Sequence, residues 1–104
     1  MPIPFEMITL DKPRRLRFGM GAIIEFEKVT GMKLMEIDGS PDTYIKLLWY
    51  MLQADEPSLT LKDVCNLVDD YANSIGEVML LVDKVMDEIF PKVEPDPNAQ
   101  TPAT

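Results

Sequence analysis

Asp83 and Asp87 stand one helical turn apart, a spacing at which two carboxylates can share a hard cation. Asp69 and Asp70 are adjacent, so on a helix they face different ways. Glu27 falls on the apolar side of another helical stretch. Burying it unpaired is costly, so it must reach water, a cation or an amide. Beyond these carboxylates little could do chemistry. The chain has no histidine, which removes the usual general base and the commonest metal ligand. Gly19-Met20-Gly21 lacks the length, lysine and hydroxyl of a phosphate loop. Paired carboxylates of the glycosidase kind need a cleft that 104 residues leave little room to build. The single cysteine, Cys65, has no partner for an internal disulfide and reads as a buried structural thiol. A solvated acidic face accounts for Asp83 and Asp87 better than a metal site. The expectation is a non-enzyme with no cofactor and no metal.

The elements that would position such residues are mostly helices. Ser40–Gln53 opens with a capping serine and a proline suited to the first turn. Tyr44, Leu47, Leu48, Met51 and Leu52 then form one broad apolar face, extended by Ile45. Trp49 and Tyr50 flank the polar Lys46 and Gln53. Such a helix must be covered almost all round, by its own domain or by a partner. Two readings stay open: a core helix alone, or one whose Trp49/Tyr50 edge also binds a partner.

Before this helix, Met1–Pro4 reads as a loose end. Met7–Leu10 and Arg15–Phe18 read as two strands joined by a turn at Asp11–Arg14. Leu10, Leu16 and Phe18 should press onto helices, because two strands alone are marginal. The basic residues between them suggest a solvated tip or a docking patch. A first helix spans about 20–30, with Met20, Ile23, Ile24 and marginally Phe26 inward, and Gly31 ends it. Leu34 and Ile37 can dip into the core.

Thr60-Leu61-Lys62-Asp63 resembles a capping box with aspartate for glutamate, opening a helix with Leu61, Val64, Cys65, Val68, Tyr71 and Ala72 on one face. Ser74-Ile75-Gly76-Glu77 fits the box fully and starts a separate helix to about Phe90. Its inward set is Ile75, Val78, Met79, Val82, Val85, Met86 and Ile89. Leu80 lies among its polar residues and Leu81 at their border, which makes both candidates for a contact outside the monomer. From Pro91 the composition turns proline-rich and polar, too poor in apolar groups to order itself. The predicted fold is mainly α: a small four-helix domain over 1–90 with a short N-terminal β-hairpin, followed by a disordered tail over 91–104.

The net charge of −8 is uneven. Residues 1–18 hold four basic groups against two acidic ones, which leaves −9 for residues 19–90. That balance argues against binding nucleic acid. No apolar run approaches a membrane span, and the N-terminus lacks the pattern of a signal peptide, so a soluble intracellular protein is expected. Eight methionines in 104 residues are many, and they suit either cores or adaptable hydrophobic surfaces.

The order of features, an ITLD…LRFG hairpin, EFEKVTG, LLWYML, LTLKDVCNLVDDY and a last helix ending near a proline, resembles a known family. It is similar to the small tail assembly chaperones of long-tailed bacteriophages and prophages, and to their relatives in gene transfer agents. The likeness covers roughly residues 8–90. It is most specific at Leu16-Arg17-Phe18, at Glu27 with Gly31, at Leu47–Trp49 and at Leu59-Thr60. The resemblance implies a chaperone in the host cell cytoplasm, absent from the finished virion. It would coat the tape measure protein, keep that protein's hydrophobic helices soluble and help recruit tail tube subunits. It also implies, in many phages, a frameshifted longer form, and it carries no catalytic residues. The mechanism expected is helix-in-groove capture, with Trp49, Tyr50, Leu80 and Leu81 in contact and several copies lining up as a homo-oligomer. Two alternatives remain: an acidic regulatory adaptor or nucleic-acid mimic, and a structural tail-completion protein.

Overall fold

The computed structural model describes residues 3–90. Alternating residues over β1 (Phe5–Thr9) and β2 (Pro13–Arg17) pair antiparallel, Phe5 opposite Arg17 and Thr9 opposite Pro13. Both strands start two residues earlier than the sequence suggests. Pro13 is accepted at the first position of an edge strand, where its missing amide hydrogen costs no ladder bond. Ile8, Leu10, Leu16 and Phe18 are buried, so the hairpin presses onto helices as expected.

The same alternation puts Arg14 on the core side, opposite Ile8. A guanidinium there needs counter-charge. Asp11 supplies it through two bonds of 2.9 and 3.0 Å, and Glu56 through one of 3.0 Å. Arg15 grips Asp55 at 2.8 and 2.7 Å, and its guanidinium lies 5.5 Å from the Phe5 ring centroid. The basic cluster is therefore only partly a solvated tip, its Lys12 side chain being 61 % exposed. Most of it clamps the hairpin to the loop that follows the central helix. Ile3 is half-buried beside Gly19, so the described part of the N-terminus is not loose.

α1 (Met20–Thr30) ends at Gly31, whose φ of 72° is the left-handed geometry glycine favours. Its core face is Ile23 and Phe26, while Met20 and Ile24 are exposed. The helix is turned toward Phe26 because that ring packs edge-on to both Phe18 and Tyr50, at 6.4 and 6.0 Å between centroids. A single 3-10 turn, Leu34–Glu36, then buries Leu34.

α2 (Pro41–Gln53) is the central element, touching β2, α1, and the two later helices α3 (Leu61–Tyr71) and α4 (Ile75–Ile89). The Ser40 hydroxyl accepts the Thr43 amide. Asp38 accepts both the Ser40 amide at 3.0 Å and the buried Thr43 hydroxyl at 2.7 Å. Those bonds hold the Asp38 carboxyl below its ordinary range. Tyr44, Leu47, Leu48, Met51 and Leu52 are all buried, as the wheel predicts.

The Thr60/Asp63 capping box is complete, with bonds of 3.0 and 3.1 Å. α3 buries Val64 and Val68 against α2, while Tyr71 is exposed at its last turn and Cys65 is half-buried rather than enclosed. At α4 the Ser74 hydroxyl accepts the Glu77 amide at 3.1 Å, but the return bond from the Glu77 side chain is missing, so the box is half-formed. Val78, Val82 and Val85 are buried and Met79, Met86 and Ile89 pack partly against the core. Ile75, at the first turn, is exposed instead of inward. The proline-rich tail expected over 91–104 lies outside the described residues.

The Tyr44 hydroxyl donates to Asp83 and ties α2 to α4. Burial, followed by that carboxylate, pushes the Tyr44 pKa up from 10.0 to about 12. Folding therefore favours the protonated phenol. The stability this contributes is complete below pH 10 and is lost as pH rises through about 12. Tyr44→Phe should cost about 1–2 kcal/mol near neutral pH. In urea unfolding, the gap between wild type and variant should close across that alkaline window. A constant gap would show that the phenol does not titrate against Asp83.

Candidate docking surfaces

Two of the carboxylates that could do chemistry, Glu27 and Asp83, hold structural partners. Glu27 Oε2 accepts the Leu34 amide at 2.8 Å, the amide partner its position demanded, and so fixes the chain leaving α1. Asp83 is engaged by Tyr44. Among the described residues no cluster of three or more possible metal ligands exists, and no helix is long and apolar enough to cross a membrane.

The four candidate contact residues are split between surfaces. Leu80 stands 70 % exposed in the middle of the polar face of α4. Leu81 is half-buried and lines a small cavity against Met7–Leu10 of the hairpin and the Tyr71–Ser74 corner. Trp49 is half-buried, and its indole donates to the Leu59 carbonyl at 2.8 Å. The Gln53 amide donates to the same carbonyl at 3.2 Å. Tyr44 faces α4, and Trp49, five residues later, lies roughly 140° round the helix from it. The Trp49 edge therefore turns away from Leu80. Tyr50 is only 8 % exposed, so it cannot act as an open aromatic surface.

Tyr50 instead forms part of the wall of a cleft of about 390 Å³, open along one side and mostly apolar. Ile3, Ala22 and Ala54 supply its apolar lining, and Gly19 leaves room for Ile3, whose Cδ1 would lie 3.3 Å from an added Cβ. The Tyr50 ring is held edge-on by Phe26 and lies 5.2 Å from Trp49. Its hydroxyl has no hydrogen-bond partner among the described residues. Burial, and then the nearby Glu25 carboxylate, push its pKa up. Arg17 from the hairpin and Glu25 from α1 also line the cleft. Neither has an ion-pair partner within 4.0 Å among the described residues. Sequence reasoning missed Arg17 and Glu25. The strand alternation turns Arg17 outward, but only the tertiary fold brings it to α1 and the end of α2.

Of the described methionines, Met51 alone is fully in the core, Met32, Met79 and Met86 are half-buried, and Met7, Met20 and Met35 are 48, 64 and 77 % exposed.

Comparison of the chain with protein-family models, with curated proteins and with solved structures finds no match in any of the three.

The role of Glu27 is testable by stability alone. Glu27→Ala should lower unfolding free energy by about 1–2 kcal/mol, because the Leu34 amide loses its acceptor, whereas Glu27→Gln should recover most of it. Equal losses in thermal unfolding of the two variants would mean that charge, not the acceptor, is what counts.

Proposed function

We propose that this chain is a non-catalytic tail assembly chaperone of a long-tailed bacteriophage or prophage. It binds the hydrophobic helices of the tape measure protein in the host cytoplasm, keeps them soluble, and helps recruit tail tube subunits. The sequence features of such chaperones, quoted above, motivate the reading. The observation that carries it is the exposure of Met7, Met20 and Met35, together with that of Leu80 and Ile24. An unbranched thioether adapts to varied apolar partners, which suits a protein that must cover many different helical turns of one long chain. A net charge of −8 keeps such a surface from self-associating into aggregates.

Co-expression with a tape measure protein of a long-tailed phage should render that protein soluble. The complex should survive purification at both low and high salt, as hydrophobic contact requires. A complex that dissolves with salt would favour the charge-mimic adaptor instead. A long protein that stays insoluble would remove the chaperone reading. Presence of the chain in purified particles would favour a tail-completion component. Leu80→Ser should change stability by less than about 0.5 kcal/mol, since the side chain is exposed, while reducing the yield of captured tape measure protein.

A further inference from the structure

Three observations meet at the cleft between the hairpin, α1 and the end of α2. It is an open apolar groove of about 390 Å³. Tyr50 forms part of its wall, and its hydroxyl has no hydrogen-bond partner among the described residues. Two opposite charges, Arg17 and Glu25, line it from different elements and form no ion pair within 4.0 Å with each other or with any other described residue, although Arg17 lies near enough to Asp55 to help lower its pKa. The fold could hold Tyr50 in the same ring contacts as a phenylalanine, so the hydroxyl is not needed for packing.

We propose that this cleft is a peptide-docking groove whose occupant is a helical segment of a partner protein. That segment inserts an aliphatic side chain onto Ile3, Ala22 and Ala54, offers an acceptor to Tyr50, and carries a carboxylate toward Arg17 and a cation toward Glu25. An open groove leaves a small molecule largely in water, whereas small-molecule sites enclose most of the ligand. A helix needs only one or two side chains received at a time, with its flanking charges reaching the rims. Clefts of opposite charge also select register, because a reversed segment meets like charges. The inference rests on the chaperone reading and deepens it by adding to its capture step a second contact, on a surface separate from Leu80 and Leu81.

The first test does not depend on the tape measure protein. A designed helix-forming peptide of about 15 residues, with a leucine pair between a glutamate and a lysine, is titrated into the ¹⁵N-labelled full chain. Amide shifts should concentrate at Arg17, Ala22, Glu25, Tyr50 and Gln53. Tyr50→Phe should weaken binding about fivefold while leaving the melting temperature unchanged or higher, an outcome that a purely structural hydroxyl would not give. The double change Arg17→Glu with Glu25→Lys should weaken binding about tenfold and regain it with a peptide whose two charges are exchanged. Absence of saturable binding, shifts elsewhere, or indifference to both variants would overturn the groove. In the co-expression experiment, equal capture of the tape measure protein by wild type and the double variant would also overturn it while leaving the chaperone reading intact. Peptide binding by a chain that captures no tape measure protein would keep the groove and discard that reading.

Discussion

Everything in this molecule answers to α2, a helix that is apolar around most of its circumference. Its polar stripe is narrow, and the remaining arc needs cover from water. Over residues 3–90 the chain supplies that cover from four elements: β2 on one side, α1 on another, α3 and α4 on the rest. Each covering element spends one face on α2 and has no second layer behind it. Their outer faces are therefore free of packing duty, and this is why exposed Met, Ile and Leu side chains can be carried there without loss of the core.

Much of this was legible in the sequence, for identifiable reasons. Caps and periodicity are local, so Ser40, Thr60, Ser74 and Gly31 each mark a real helix end. The core face of α2 follows from spacing alone. The errors arise where one element's orientation depends on another. α1 turns toward Phe26 because a ring from the hairpin and one from α2 receive it, which no wheel of α1 can show. Arg14 sits near the core because acidic groups in its own turn and in a loop some forty residues away neutralise it. Ile75 and Tyr71 face solvent because they fall at the corner between α3 and α4, where an apolar residue continues the pattern past the packed turns.

The candidate contact surface was read only in part, for the same cause. Trp49 and Tyr50 stood out by type, yet the fold gives them different work. One clamps the loop before α3 through Leu59, and the other becomes a wall whose polar tip is left over. The charges that line the same cleft, Arg17 and Glu25, come from elements distant in sequence. Charges that look alike in composition thus divide sharply in space. Arg14 and Arg15 are consumed by Asp11, Asp55 and Glu56, while Arg17 is left unpaired among the described residues.

The chain has one tryptophan, and its setting makes it more than a clamp. The indole of Trp49 is bound to the Leu59 carbonyl, and its ring lies against Tyr50. Emission from this single chromophore depends on the polarity around the indole and on that hydrogen bond. Loosening of the loop before α3 would expose it to water and shift the light to the red. A change at the Tyr50 wall would alter the same signal from the other side. The molecule thus has a built-in optical gauge, placed where the core, the loop and the cleft walled by Tyr50 adjoin.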